Sequence, residues 1–254
     1  MCLLLSYDGT DFHGWQFQPN LRTAEGTLKD ALARILGERP KLYAAARTDQ
    51  GVHAKTQVVN FATERGIPVE GLIRGLNSLL PADIRVLRGG EVPSEFHARY
   101  SAKSKTYRYF ILTSPLNSPF LRRYTLHVPQ GLHVEGMERA IQAIVGVHDF
   151  SAFTKKSTSY RNPVRRVLSA KVKGRGEIIV MEIRAEGFLR YMVRNIVGTL
   201  LLVGKGKIDE EGFKAILESR DRDMAGPTAP PHGLFLWDIE YEPSLLFPPY
   251  RLGV

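Results

Sequence analysis

The chain has 254 residues, 43% hydrophobic and 24% charged, enough apolar chain for one large domain or two ordinary ones and too apolar for a disordered protein. Lys and Arg number 35 against 26 Asp and Glu, a net charge of +9 with a pI near 9.7; that balance suits a polyanion binder, because each neutralised phosphate releases counterions. A single cysteine, Cys2, excludes a disulfide framework and a cysteine zinc site. The longest apolar runs fall far short of the ~20 residues a membrane span needs. Asp8 and Asp11 directly follow the first of them, so no signal peptide and a cytoplasmic location are expected.

In chain order, residues 1–7 are apolar and turn-bounded and predict a buried strand, broken by Asp8-Gly9 and Gly14. Leu28, Ala31, Leu32, Ile35 and Leu36 then share one helical face, with Thr23 placed to cap the start and Gly37 to stop the end. Residues 41–46 and 57–63 predict strands around the polar turn Arg47-Thr48-Asp49-Gln50-Gly51. Pro68 opens a second helix carrying Val69, Leu72, Ile73, Leu76 and Leu80, and residues 83–88 a closing strand. Strand, helix, strand, strand, helix, strand is the order of a split βαβ, ferredoxin-like unit.

The second half repeats that grammar. Strands are expected at 106–113 and 123–128, a helix on Val134, Met137, Ala140, Ile141 and Ile144, and a hairpin of 164–173 with 177–185. An apolar helix over 190–203, a further helix over 209–219 and a final strand over 234–241 complete it. The expectation is therefore an α+β protein of two ferredoxin-like halves, 1–101 and 102–254. Their mixed, mainly antiparallel sheet is flanked by helices, with the active-site cleft between the halves.

Chemistry-bearing residues are few. Asp49 stands in the turn after an apolar strand, a common place both for turn formers and for catalytic carboxylates. Arg47, two residues before it, suits pairing with that carboxylate or with a phosphate. Residues 103, 105, 107 and 109 of a strand share a face, which lines up Lys103 and Lys105 with Tyr107 and Tyr109, cations beside rings on which bases stack. The same face also reads as an edge strand blunted by lysines. Arg190 and Arg194 are four apart on one predicted helix, with Arg190 in its first turn if that helix starts near Gly187. Lys155, Lys156, Arg161, Arg165 and Arg166 form a basic, phosphate-facing stretch. His97, His127, His133, His148 and His232 lack metal-ligand spacing, and the Gly-x-Gly pairs at 174 and 204 lack the rest of any phosphate-binding fingerprint. No metal, no cofactor and no membrane are expected.

Together these blocks resemble the TruA family of tRNA pseudouridine synthases, the tRNA pseudouridine synthase A enzymes, across nearly the whole chain. The matching segments are Tyr7-Asp8-Gly9-Thr10, Gly14-Trp15-Gln16, Ala46-Arg47-Thr48-Asp49-Gln50-Gly51-Val52-His53 and Phe96-His97-Ala98-Arg99. They continue with Tyr107-Arg108-Tyr109, Asn162-Pro163-Val164-Arg165, Met192-Val193-Arg194-Asn195-Ile196-Val197-Gly198 and Ala229-Pro230-Pro231-His232-Gly233-Leu234. The resemblance implies that Asp49 is the catalytic aspartate and that Arg47 helps displace the target base. It further implies that Tyr107 stacks on the uracil, that Arg194 pairs with the aspartate, and that Leu234 walls the pocket. It implies tRNA as partner, uridines 38, 39 and 40 of the anticodon stem-loop as targets, and a homodimer. The charge and strand-face readings add an expected RNA-binding surface drawn from Lys103, Lys105, Arg108, Lys155, Lys156, Arg165 and Arg190. Gln50 departs from the family's usual alanine beside the aspartate.

Pseudouridine formation breaks C1′–N1, turns the uracil, and forms C1′–C5 as the C5 proton leaves, so no group enters from outside. One carboxylate serves either by attacking C1′ or by removing the C2′ proton. The rival reading is a non-catalytic RNA-binding module with RRM-like halves, but the RRM aromatic consensus is missing and a binder has no use for a paired acid. A metal-dependent nuclease would need clustered carboxylates, and residues 41–60 offer Asp49 alone.

Overall fold

The computed structural model describes residues 1–155 and 162–242, and the chain divides into two compact units. The first comprises Met1–Ser104 together with the described residues from Leu236 onward; the second is Lys105–Phe235.

The first unit runs β1 (Cys2–Tyr7), α1 (Ala24–Leu36), β2 (Tyr43–Ala44), β3 (His53–Asn60), α2 (Val69–Leu79) and β4 (Ile84–Gly90). Strand β1 lies between β4 and β3, antiparallel to both, and β2 pairs with the far end of β3 through Tyr43↔Asn60 and Ala44↔Val59. The chain's last strand lies on the other side of β3 from β1. This is the expected split βαβ order. Helix α1 forms where its apolar stripe predicts, because both ends are satisfied. Thr23 Oγ1 accepts the Gly26 N–H, and Gly37 takes the left-handed conformation (φ 75°) that closes the last turn. Leu28, Leu32 and Leu36 of α1 and Leu72 and Leu76 of α2 are buried along with Leu3 and Leu5 of β1. Each such side chain contributes roughly 1.5–3 kcal/mol of burial. Asn77 of α2 binds the Val86 backbone twice, donating to its carbonyl (2.8 Å) and accepting its N–H (2.9 Å), which fixes the helix against β4.

The second unit holds β5 (Ser104–Leu112), β6 (Leu126–His127), α3 (Val134–Ala140), β7 (Gly146–Asp149), β8 (Val164–Arg175), β9 (Ile178–Ala185), α4 (Met192–Gly204), α5 (Glu210–Ser219) and the start of β10 (Leu234–Glu240). Its strands run β5-β9-β8-β7, all antiparallel, with β6 added to β5 in parallel. The protein is thus α+β, with a mixed but mainly antiparallel sheet flanked by helices. Helix α4 is apolar nearly all round and buried accordingly, and even its Asn195 is fully enclosed. The Asn195 amide donates to the Phe153 carbonyl (2.9 Å), and its Oδ1 accepts from the Thr228 hydroxyl (2.6 Å).

Several expectations shift. Strand β3 starts at His53 rather than residue 57, because the 53–56 stretch pairs with β1 despite its polarity. The α3 stripe ends its α-helical part at Ala140 and finishes as a 3₁₀ turn, Ile141–Ile144. Strand β7, short and partly exposed, gave no periodic signal. Helix α4 begins at Met192 rather than at Arg190. Tyr191 at its N-cap has φ 63°, which ends helical geometry there and leaves Arg190 outside the helix. Lys156 and Arg161 lie outside the described residues.

Candidate active site

In the first unit the chain passes from β2 into β3 through residues 45–52, and Asp49 sits in this loop, half-buried. The segment is pinned on several sides. The Thr48 carbonyl accepts the Trp15 N–H (3.0 Å), Gly51 N–H donates to the Phe12 carbonyl (3.2 Å), and Val52 N–H turns back onto the Asp49 carbonyl (3.1 Å). Gly14, at φ 87°, lies so close that a Cβ on it would stand 2.8 Å from the Thr48 carbonyl oxygen, so only glycine fits both the backbone angle and the space. The Tyr7 hydroxyl is 2.8 Å from Thr48 Oγ1, its ring stacked against Trp15 and edge-on to Phe12. Burial pushes the Tyr7 phenol up to about 12, while side-chain hydrogen bonds with Thr48 and Gln57 pull the other way, so it stays a neutral hydroxyl.

His53, 1% exposed, closes the far side of the loop. Its Nδ1 accepts the Gly9 N–H at 3.0 Å and lies 3.1 Å from Asp8 Oδ1. A nitrogen that accepts from Gly9 carries no proton to give the carboxylate, so the neutral ring protonated on Nε2 fits the geometry. Asp8 Oδ1 instead takes the Thr10 N–H (2.9 Å) and the Thr10 hydroxyl (2.6 Å). Arg47 and Gln50 are exposed on either side of Asp49.

The second unit carries the other candidates. Tyr107 on β5 is buried and meets Phe188 edge-to-face at 4.8 Å. Arg194, in the first turn of α4, donates from Nε to the Ala229 carbonyl (2.7 Å), and the Ala229 N–H returns to the Arg194 carbonyl (3.1 Å). Its guanidinium lies 5.0 Å from the Tyr191 ring, and that of Arg190 5.1 Å from the same ring. Tyr109 donates its hydroxyl to the Pro230 carbonyl (2.9 Å), and burial raises its phenol above the ordinary range against the pull of Arg194. Leu234, the first residue of β10, is buried. The Ala229–Leu234 segment is therefore tied to both Arg194 and Tyr109.

The basic candidates differ in their surroundings. Lys105, Tyr107 and Tyr109 do share one face of β5, but that face is buried, whereas Lys103 is exposed and ion-paired with Glu242. Arg108 on the opposite face pairs with its cross-strand neighbour Glu182 at 2.6 Å. Arg165 turns its guanidinium onto the Asn162 (3.0 Å) and Val164 (2.6 Å) carbonyls. Lys155 and Arg190 are exposed. Among the described residues, no group of three or more His, Cys, Asp or Glu is placed to hold a metal ion, and no helix is long and apolar enough to cross a membrane.

Sequence reasoning passed over Gln57, which is fully buried beneath the Asp49 loop. The one signal was a carboxamide opening the apolar run Val58-Val59, a weak mark because strands often start polar.

The α+β scaffold with its mixed, mainly antiparallel sheet suits a pseudouridine synthase, and comparison with known proteins shows the family. The family model described as tRNA pseudouridine synthase matches residues 4–101 and 140–242, spans that include Arg47, Asp49, Arg194 and Leu234 but not Tyr107. A protein named tRNA pseudouridine synthase A from Thermoanaerobacter sp. (strain X514) is 46% identical over 239 residues, covering 94% of this chain and 98% of that one. Proteins of the same name from Acetivibrio thermocellus and Halalkalibacterium halodurans are 45% and 48% identical, over 94% and 91% of this chain and 98% and 89% of their own. The chain belongs to the tRNA pseudouridine synthase family. By that membership it is an isomerase that converts uridine to pseudouridine.

Proposed function

We propose that this enzyme acts on tRNA, isomerising uridines 38, 39 and 40 of the anticodon stem-loop, with Asp49 as nucleophile or general base. The observation that carries the reading is Asp49 itself: a half-buried carboxylate, within the family match, on a loop whose backbone is held by the segments around it. A carboxylate drawn out of bulk water needs a cationic partner to remain ionised. Arg194 is the proposed cationic partner. Arg47, exposed beside the aspartate, would fill the space left by the extruded base, Tyr107 would stack on it, and Leu234 would add apolar wall. Extrusion costs roughly a few kcal/mol, which these contacts offset. The RNA-binding role extends in this proposal to Lys103, Lys105, Arg108, Lys155, Lys156, Arg165 and Arg190, the functional unit is a homodimer, and the location cytoplasmic.

The test is carbodiimide-block mapping of unmodified tRNA transcripts in which uridines 38, 39 and 40 are replaced singly by cytidine. Loss of one signal at a time, with the others kept, supports the assignment; modification outside the anticodon arm contradicts it. For Tyr107, the Phe variant retains a ring to stack on and is expected within about threefold of wild type, whereas Tyr107→Ala loses the ~1–3 kcal/mol that base–aromatic stacking supplies, roughly tenfold or more. Equal losses in single-turnover assays would assign the hydroxyl, not the ring.

A further inference from the structure

Gln57 spends its carboxamide on backbone groups in one buried place. Its Oε1 accepts the N–H groups of Ala46 (3.3 Å) and Val58 (3.2 Å), and its Nε2 donates to the Ala46 carbonyl (2.8 Å). The carboxamide also acts on the Tyr7 hydroxyl, which lies 2.8 Å from Thr48 Oγ1. An amide flip would set an NH2 against two N–H donors, so the orientation follows from the network. The residue is 0% exposed and therefore touches no substrate. Its partners are instead the backbone three residues before Asp49 and, through Tyr7, the side chain one residue before it.

We infer that Gln57 is a positioning residue for the reaction: with Tyr7 and Thr48 it forms a buried hydrogen-bonded frame that sets where the Asp49 carboxylate meets C1′ or the C2′ proton. The inference rests on the reading of Asp49 as the catalytic carboxylate. Its physical basis is the steepness of catalysis in geometry, since a shift of about 1 Å in a reacting group costs on the order of 10²-fold in rate. Phosphate contacts made elsewhere govern tRNA affinity, so a displaced loop slows chemistry while leaving binding alone.

The experiment compares single-turnover rate constants at saturating enzyme, and tRNA Kd, for wild type, Gln57→Met, Gln57→Glu, Tyr7→Phe and Asp49→Asn, each confirmed folded by circular dichroism. Gln57→Met keeps the length of the side chain but none of its hydrogen bonds, and is expected to lower the rate constant about 10–100-fold with Kd within about twofold. Gln57→Glu carries a diagnostic pH dependence. The neutral acid supplies an acceptor for the two N–H groups and one donor for the Ala46 carbonyl, whereas the ionised form supplies no donor and faces that carbonyl with a charge. Burial raises the pKa of the introduced acid, so its rate relative to wild type rises as pH falls from about 8 to about 6. A Gln57→Met rate within twofold of wild type, a loss confined to Kd, or a flat Gln57→Glu ratio overturns the inference. Should Gln57→Met not fold, Tyr7→Phe decides, because it deletes one hydroxyl and preserves the ring: slowing at constant Kd supports the frame and an unchanged rate overturns it. An active Asp49→Asn defeats the underlying reading of the aspartate, whereas an inactive Asp49→Asn beside unaffected Gln57 and Tyr7 variants defeats this inference alone.

Discussion

Asp49→Asn is expected to lower the single-turnover rate constant for pseudouridine formation by at least about 10³-fold, while tRNA Kd stays within about twofold. Asparagine keeps the size and polarity of the side chain and so leaves the loop's backbone contacts in place. It removes the negative charge, and with it both the nucleophile that attacks C1′ and the base that takes the C2′ proton. A thousandfold loss corresponds to about 4 kcal/mol of transition-state stabilisation, within what one displaced catalytic group supplies. Release of tritium from tRNA labelled at uridine C5 measures it directly, because that hydrogen leaves in the reaction. A residual rate above a tenth of wild type would remove Asp49 from the chemistry.

The second large effect is structural. A Cβ added to Gly9 would stand 2.0 Å from the Val52 carbonyl oxygen and 2.4 Å from its carbon, with no flexible side chain to move aside. Gly9→Ala must therefore lift the Asp8–Thr10 turn off the strand that leads out of the Asp49 loop, breaking the Gly9 N–H bond to His53. Overpacking of this kind costs about 1–3 kcal/mol, and the lost buried hydrogen bond adds to that cost. For a chain of this size the melting temperature is expected to fall by roughly 5–10 °C, with activity falling alongside because the turn backs the Asp49 loop. Gly71→Ala supplies the control. That glycine lies in α2 with nothing within 4 Å of a new Cβ, so the substitution is expected to be neutral or to stabilise by up to about 1 kcal/mol. Equal melting temperatures for Gly9→Ala and wild type would show that the close approach is not a constraint on the fold.

Much of the fold is readable from side-chain pattern where one face meets the core and both ends carry their stop signals. Helix α1, with the Leu28, Leu32 and Leu36 stripe between Thr23 and Gly37, is such a case. So is α5, whose start at Asp209 is a side-chain cap onto Gly212 N–H (2.8 Å). Reading fails where tertiary pairing overrides pattern. The first residues of β3 are polar yet join the sheet, β7 is too short and exposed to leave a period, and the left-handed Tyr191 delays the start of a helix that the sequence pattern placed at Arg190. The site divides in the same way. The place of Asp49 in a loop is legible because a turn is a local feature of the sequence. The face shared by Lys105, Tyr107 and Tyr109 follows from strand alternation, but its burial does not, since it depends on what packs against it. Gln57 acts through backbone eleven residues away, a partnership that only the folded chain displays.

The most direct test of the account is pseudouridine mapping of one unmodified tRNA transcript incubated with the wild-type protein or with Asp49→Asn, with nothing added but buffer. The account predicts carbodiimide stops in the anticodon arm with wild type, and none with a variant that still binds the transcript. Wild type that binds the tRNA and leaves every uridine unchanged would contradict it, and would return the protein to the role of an RNA-binding module.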